Sequence, residues 1–274
     1  MFVNNKKPQI LLTNDDGILS PGLWAAAAAL EELGYVHVIA PARQSSGMGR
    51  SFPGYSTGAI NPQEVTINGR IWTVYAVDGA PAQVVAHGIT EILPRRPDLV
   101  VSGINYGENM GMGITVSGTV GAALEGAAEG IPALAISLET EIEHHLSYSE
   151  EINFSAAAHF TAYFGRMLLQ NRFPADVDAL NLNLPSDATL TTPWELTHLS
   201  RVRMFESVPP PKRAWGEPGR LGYRFSGNLF DAPEGSDIHT VRVKRHISVT
   251  PISLDLTSRA DFNEVEALLR GSER

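Results

Sequence analysis

The sequence predicts an α/β fold: a Rossmann-like, doubly wound, mostly parallel sheet with a C-terminal β-hairpin or arm extension. Three observations support this fold class. Apolar segments alternate with helical segments through the first half of the chain, which is typical of parallel βαβ units. Residues 98–102 and 133–138 have apolar centres without alternation, as strands buried on both faces do. The composition changes after residue 203, where proline, glycine and aromatic residues become frequent.

The first half of the chain predicts strand, helix, strand, hairpin, helix, strand, helix and strand in order. The first strand reaches Leu12, and the first helix has Ser20 as N-cap, Pro21 at its first position and Gly34 as its stop. The dipeptide at 68–69, Asn-Gly, is a strong turn signal between two hairpin strands. The other strands are predicted at 35–40, 98–102 and 133–138, the hairpin strands at 65–67 and 71–77, and the other helices at 80–93 and 117–129.

The second half of the chain is more mixed. Residues 149–170 have the apolar spacing of a long helix, and residues 179–185 alternate between apolar and polar, which predicts a strand. Further strands are predicted at 239–243 and 247–252, and a short final helix at about 261–270. We therefore expect a core domain at 1–200 and an extension at 201–274. Aromatic residues in an exposed arm often contact a second subunit.

The overall composition excludes several classes of function. The chain has 274 residues, of which 43% are hydrophobic, so a large core is expected. A formal net charge of −9 disfavours a nucleic-acid partner, because phosphate backbones attract basic surfaces. The chain has no cysteine, which excludes disulfides and thiolate chemistry. Neither a signal peptide nor a membrane span is evident, so a soluble cytoplasmic protein without membrane contact is expected.

Two adjacent carboxylates, Asp15 and Asp16, follow the first strand and precede the first helix. Ligands bind at the carboxyl ends of the strands in open α/β sheets. Two aspartates held there repel each other unless positive charge lies between them, and a divalent cation with oxygen ligands is the simplest candidate. The alternative is an Asx turn that only caps the helix, because Asn-Asp-Asp-Gly is also good turn chemistry.

Three further loops carry polar residues at strand ends. The loop at 41–50 is long for a βα turn and contains two arginines, although a flexible surface turn would also explain it. The loop at 103–113 is rich in glycine and asparagine. Residues 117–119, Ser-Gly-Thr, open a helix and could bind an anion through hydroxyl and backbone N–H groups, or could serve for capping alone.

These stretches resemble the SurE family, the survival protein E group of metal-dependent 5′-nucleotidases. The similar segments are LLTNDDG at 11–17, APARQSSG at 40–47, VSGINYGENMG at 101–111 and SGTV at 117–120 with Glu-Gly at 125–126, and weaker matches lie at 235–237 and 247–252. The resemblance covers most of the chain. Residues 112–116 depart from it, because apolar side chains stand where the family commonly has an acidic pair, so the mouth of the site is expected to be more apolar.

The resemblance implies a metal site and a catalytic machinery. It implies one divalent ion, Mg²⁺ or Mn²⁺, per subunit, a C-terminal extension exchanged between subunits, and a homodimer or homotetramer. The implied metal ligands are Asp15, Asp16, Ser46 and Asn105. The expected catalytic residues are Asp15, Asp16 and Asn109, with either aspartate as general base, and the expected substrate-binding residues are Arg43, Gly47, Ser117, Gly118 and Thr119.

The expected reaction is hydrolysis of nucleoside 5′-monophosphates to nucleoside and phosphate by a metal-activated water, with 3′-nucleotides and polyphosphate as further candidate substrates. One alternative is an aspartyl-phosphate phosphatase with an aspartate nucleophile, although such enzymes usually space the two carboxylates two residues apart. Another is a non-catalytic module that binds metal and nucleotide and assembles through the arm.

Overall fold

The computed structural model describes residues 7–145, 148–149, 151–227 and 229–271. Its β-strands are β1 (Gln9–Thr13), β2 (Tyr35–Pro41), β3 (Ile60–Ile67), β4 (Arg70–Val77), β5 (Leu99–Tyr106), β6 (Ala133–Leu138), β7 (Ala179–Leu184), β8 (Trp194–Leu196), β9 (Phe205–Val208), β10 (Gly222–Phe225) and β11 (Ile247–Ile252). Its α-helices are α1 (Pro21–Leu30), α2 (Pro81–His87), α3 (Gly118–Ala128), α4 (Ser155–Gln170), α5 (Asp237–Arg242) and α6 (Phe262–Arg270).

Within these ranges a nine-stranded sheet forms the centre of the molecule, in the order β3-β4-β2-β1-β5-β6-β7-β11-β8. The strands from β4 to β7 are parallel in this order, whereas β3 and β11 pair antiparallel with β4 and β7. The predicted Rossmann-like, mostly parallel sheet is therefore confirmed. The strand order reverses at β1, whose neighbours are β2 and β5, and such a switch point is where α/β sheets bind ligands.

Both faces of the sheet are covered by helices. Ile10 and Leu12 of β1 pack into the hydrophobic cluster that contains α1 and α4, whereas Leu11 packs into the cluster that contains α2 and α3. Consecutive strand residues point to opposite faces, so a strand covered on both sides reads as an unbroken apolar run. This double coverage explains why Ile10, Leu11 and Leu12 are all fully buried.

Three helices differ from their predicted boundaries at one end, and the last of them, α4, begins at Ser155 rather than at residue 149. The first ends at Leu30 rather than at Gly34, because residues 31–33 form a turn that leads into β2. The second runs as α-helix only to His87, and a π-helical turn, Gly88–Ile92, replaces the predicted remainder. Strand β5 also extends beyond the predicted residue 102 to Tyr106, so Asn105 lies on the strand and not in the loop that follows it.

The strand predicted at 239–243 is wrong, because these residues fall largely in helix α5. The Ser236 side chain accepts a hydrogen bond from the His239 amide at 3.4 Å and caps the helix. Ile238 and Val241, three residues apart, are both fully buried. Their burial on one helical face outweighs the strand preference of the alternating β-branched residues.

The C-terminal region contributes to two sheets. Strands β9 and β10 pair antiparallel and form a separate two-stranded sheet, which is the predicted hairpin of the arm. Strand β11 enters the main sheet between β7 and β8. The division into a core at 1–200 and an extension at 201–274 stays a prediction. Within the described ranges, no helix has the length and hydropathy needed to cross a bilayer.

Candidate functional site

A cavity of about 590 Å³ opens at the carboxyl ends of β1 and β5. Most residues predicted for the site meet there, although their loops are far apart in sequence. Its lining includes the predicted residues Asp15, Ser46, Gly47, Asn105, Asn109 and Ser117. Thr119 and Gly118 adjoin the cavity through Asp15, whose side chain contacts both. Residues from separate loops therefore line one cavity at this edge of the sheet.

The two aspartates at the end of β1 are buried. Asp15 is 4% exposed and Asp16 is 2% exposed. The Thr119 hydroxyl donates a 2.5 Å hydrogen bond to Asp15 Oδ1. Burial nevertheless raises the pKa of Asp15 to about 6, because desolvation outweighs this hydrogen bond. Burial and the repulsion from Asp15 raise the pKa of Asp16 well above its ordinary value.

The carboxylate pair fits a divalent cation. Neither Asp15 nor Asp16 forms a salt bridge with any side chain in the described part of the chain. Buried carboxylates are ordinarily paired with a cation or bound to a metal, so a bound cation would stabilise these two in their ionised form. Among the described residues, no three or more His, Cys, Asp or Glu side chains are grouped so that they could hold a metal ion. A cation held here therefore takes its other ligands from serine, asparagine or water oxygens, which suits a hard ion.

Asn105 lines the same cavity as Asp15. Its side-chain nitrogen donates to the backbone oxygens of Tyr106 and Gly107, at 3.1 and 2.6 Å, so its carboxamide oxygen is the atom left for a cation. The pairing of β5 with β6 shifts register between Ser102 and Asn105. Gly103 lies in this irregular stretch with φ at 131°, and a Cβ there would come within 2.3 Å of the Ile136 carbonyl oxygen. Only glycine fits this position, and the irregularity sets the direction of the strand end.

The loop between β1 and α1 is fixed by Asn14 and by one tyrosine. The Asn14 side chain accepts from the Gly17 amide and donates to the Gly17 carbonyl, both at 3.1 Å. The Tyr148 hydroxyl donates to the Asp16 carbonyl at 2.7 Å. Ser20 is the N-cap residue of α1, but its side chain makes no capping hydrogen bond. The turn is therefore closed by Asn14, and both aspartate side chains are left to the site.

The loop after β2 approaches the site through its second half. The Ser45 amide donates to the Asp15 carbonyl at 2.7 Å, which ties the loop to the first strand end. Ser46 and Gly47 line the cavity, and Gly47 has a φ of 77° that favours glycine. Arg43 is exposed and does not line the cavity. Its charge instead contributes to the low pKa of Asp78, after two hydrogen bonds from Thr57.

The start of α3 also contacts Asp15. The Ser117 hydroxyl oxygen accepts a 3.1 Å hydrogen bond from the Val120 amide and caps the helix. A Cβ on Gly118 would lie 2.7 Å from the Asp15 side chain, so glycine permits this close approach. The hydroxyl of Thr119 is committed to Asp15. Ser117 therefore caps the helix, and its position at the cavity also leaves the helix N-terminus near the site. The substrate-binding roles of Ser117, Gly118 and Thr119 stay predictions.

Asn109 is held by a set of polar side chains that the sequence did not identify. Its amide donates to Asn183 Oδ1 at 2.7 Å, and its carbonyl accepts from Asn181 and Asn183 at 2.9 and 3.1 Å. Its side-chain nitrogen donates to the Ser137 hydroxyl at 2.9 Å. The only local signal is the alternation of asparagines along β7. Such alternation usually indicates the polar face of a half-buried strand, whereas every residue of β7 is buried.

A buried ion network supports the same loop from behind. Glu108 lines the cavity, its side chain is fully buried, and it pairs with Arg242 of α5. Arg242 also contacts Glu139 at 2.7 Å, and Arg245 contacts Glu139 at 2.6 Å. Burial, followed by repulsion from Arg245, lowers the pKa of Arg242 to about 10. The network joins the strand ends of β5 and β6 to the C-terminal region.

Comparisons with known proteins agree with this geometry. The family model described as "Survival protein SurE" matches residues 10–206. The chain is 38% identical to the 5′-nucleotidase SurE of Methanocella arvoryzae over 96% of this chain and 98% of that protein. It is 42% identical to the 5′-nucleotidase SurE of Thermococcus gammatolerans over 96% of both. Its structure resembles the crystal structure of the SurE protein from Aquifex aeolicus, with a TM-score of 0.71, 32% identity and coverage of 96% of this chain and all of that one.

Proposed function

Because this chain belongs to the SurE family, we propose that it is a 5′-nucleotidase, a phosphatase that hydrolyses nucleoside 5′-monophosphates to nucleoside and inorganic phosphate. One observation carries the proposal: Asp15 lines a cavity large enough for a mononucleotide, and both Asp15 and the adjacent Asp16 are buried without a cationic partner in the described part of the chain. This arrangement suits a bound cation and a phosphate, and it serves no evident purpose in folding because it places like charges together.

The donor set favours a single Mg²⁺ or Mn²⁺ ion per subunit, held by Asp15, Asp16, Ser46 and Asn105. All four offer oxygen atoms, and water completes the sphere of such ions. When bound, the ion supplies a water of lowered pKa and positive charge against the phosphate. Asp15 or Asp16 accepts the proton of the attacking water. The Thr119 hydroxyl keeps Asp15 oriented by its short hydrogen bond.

The residues around the carboxylates are assigned to the phosphate. The backbone N–H groups at the start of α3, in Ser117, Gly118 and Thr119, lie at the positive end of a helix dipole and hold phosphoryl oxygens. Gly47 allows close approach of the loop backbone. Arg43 is the predicted charge partner of the phosphate, and its exposed position requires the side chain to turn toward the cavity when substrate binds.

Asn109 orients the phosphate or the water, and its supports make this testable. Asn183→Ala removes a hydrogen-bond acceptor of the Asn109 amide and a donor to its carbonyl. We expect kcat to fall by roughly 10- to 100-fold with little change in metal affinity, because loss of such a positioning contact misplaces the reactive group. Steady-state kinetics and metal titration measure both quantities. Asn171→Ala, at the end of α4, is the control and should leave kcat unchanged.

The activity itself is tested by release of inorganic phosphate from 5′-AMP and 5′-GMP with Mn²⁺ or Mg²⁺ present. We expect turnover that a chelator abolishes and that either ion restores. The same assay with 3′-AMP and polyphosphate tests the two further candidate substrates. Metal binding without release of phosphate from any nucleoside monophosphate would contradict the proposal. A cytoplasmic location is part of the same proposal.

The subunits are proposed to associate as a homodimer, or as a homotetramer, through the segment 201–274, with exchange of the extension. Exposed apolar side chains support this assignment, because Leu256, Phe262, Leu268 and Leu269 are more than half exposed. We expect Leu268→Glu combined with Leu269→Glu to lower the mass measured by light scattering. An unchanged mass would place the interface elsewhere. Leu190→Glu, at an exposed position in the loop before β8, is the control.

A further inference from the structure

Two chemically different sets of side chains line the cavity. One set is polar and includes Asp15, Ser46 and Asn105. The other is largely apolar: Met112 is 51% exposed, Val116 is 60% exposed, and aromatic rings from the arm lie beside the polar Arg203 and Glu206. Exposed apolar side chains inside a cavity are costly unless a ligand covers them. A nucleotide has the same division, with a phosphate at one end and a flat, poorly hydrated base at the other.

Three aromatic rings belong to the second set, and we call them the aromatic wall: His145, Phe205 and Tyr223. The Tyr223 ring lies 16° from parallel to the His145 ring at a centroid distance of 6.1 Å. Phe205 stands edge-on to both, at 5.4 Å from Tyr223 and 6.1 Å from His145. Phe205 belongs to β9 and Tyr223 to β10, so the antiparallel pairing of the two strands sets their spacing. All three residues line the cavity.

The aromatic wall is connected to the carboxylates by one side chain. The Gln44 side-chain nitrogen donates to the His145 carbonyl at 2.9 Å and lies 3.4 Å from Asp16 Oδ1. Gly107, directly after β5, packs against the His145 ring, where any Cβ would come within 2.5 Å of Nε2. The wall therefore stands at a fixed place relative to the phosphate end, and a molecule that spans the cavity contacts both.

We infer that the aromatic wall binds the base of the substrate by stacking, with Tyr223 as the principal contact, and that it gives the enzyme its preference for nucleotides over phosphomonoesters that lack a base. This inference rests on the proposed nucleotidase function. Tyr223 is 41% exposed and lines the cavity, so it is accessible to a ligand. Every base has a π-face, so stacking of this kind tolerates both purines and pyrimidines. The wall accordingly selects the class of substrate and not one base.

The test compares 5′-AMP with ribose 5-phosphate, which keeps the phosphoryl group and the sugar but lacks the base. We expect wild-type enzyme to have the lower KM for 5′-AMP. Tyr223→Ala should raise KM for 5′-AMP by roughly 5- to 100-fold, as loss of one base–aromatic contact does. It should change kcat/KM for ribose 5-phosphate by less than about twofold, because the interaction that it removes involves only the base. Activity on ribose 5-phosphate also reports that the variant is folded.

Two further variants separate stacking from other roles of the residue. Tyr223→Phe keeps the ring and loses the hydroxyl, so it should retain the wild-type KM for 5′-AMP. Trp215→Ala removes a fully exposed ring elsewhere in the arm and should have no effect. Equal losses on both substrates, or no loss on either, would overturn the inference. If wild-type enzyme hydrolyses both substrates equally well, the inference is overturned but the proposed phosphatase activity stands. If it hydrolyses neither substrate, the proposed function itself is overturned.

Discussion

Asp16→Asn is expected to abolish turnover while it makes the metal-free protein more stable. The substitution keeps the shape of the side chain and removes its charge. Without that charge the site binds a divalent cation weakly, and we expect kcat for 5′-AMP to fall by on the order of 10³-fold. Isothermal titration with Mn²⁺ measures the loss of affinity, and phosphate release measures the loss of turnover.

The gain in stability follows from the repulsion between the two buried aspartates. Burial and the neighbouring Asp15 raise the pKa of Asp16, so the folded protein favours the protonated form. The same holds for Asp15, whose pKa burial raises to about 6 from 3.8. A carboxyl whose pKa is higher in the folded than in the unfolded protein contributes stability that depends on pH. This stability is fully present below the pKa of the unfolded state and is lost as the pH rises through the pKa of the folded state. Metal-free wild-type protein should therefore lose stability between about pH 4 and 7, and Asp16→Asn should lose less.

Asp98→Asn provides the matched control for this experiment. Partial burial raises the pKa of Asp98, but hydrogen bonds from Arg95 and the Gln9 amide outweigh burial and lower the pKa overall. Loss of that charge should reduce stability at neutral pH and leave turnover intact. Both effects are the opposite of those expected for Asp16→Asn. Melting temperatures measured in chelator from pH 4 to 8 compare the three proteins. An Asp16→Asn protein with near wild-type activity would show that the catalytic site lies elsewhere.

The parts of the fold that the sequence predicted are those with a local cause. Strand β6 has its predicted boundaries, 133–138, because a short apolar run between a turn and a polar loop has few other structures open to it. The hairpin turn at 68–69 was predicted because Asn and Gly accept the positive φ values of 49° and 76° that are found there. The position of Asp15 and Asp16 at a strand end followed from the same local argument.

The parts that were missed depend on contacts between distant segments. Glu108 and Arg242 are 134 positions apart, and neither residue carries a local sign of its partner. Helix α5 was mistaken for a strand because its burial against the C-terminal cluster, and not its local preference, decides its structure. No pattern in the sequence of the arm indicated that it contributes to the site, yet Phe205 and Tyr223 line the cavity. A contact of this kind has no pattern in a single sequence.

Arg242→Ala is expected to destabilise the folded protein strongly. Glu139 keeps Arg245 as a partner when Arg242 is removed, but the fully buried Glu108 carboxylate is left without a cation in the described part of the chain. An uncompensated buried charge costs about 3–5 kcal/mol. The melting temperature should therefore fall by roughly 6–20 °C for a chain of this size. Arg166→Ala, which breaks an exposed pair with Glu32, is the control and should cost at most about 1 kcal/mol.

The double variant Glu108→Gln with Arg242→Met shows whether charge is the cause of that loss. Glutamine keeps the volume of Glu108 without its charge, and methionine fills part of the space of Arg242 and retains contact with the Phe225 ring that the guanidinium covers. We expect the double variant to recover most of the stability that Arg242→Ala loses, because replacing both partners of a buried ion pair is often neutral. The double-mutant cycle is completed by thermal unfolding of Glu108→Gln, of Arg242→Met and of the double variant. A double variant as unstable as Arg242→Ala would show that the arginine acts through packing and the arm, and not by neutralising Glu108 in the loop that carries Asn109.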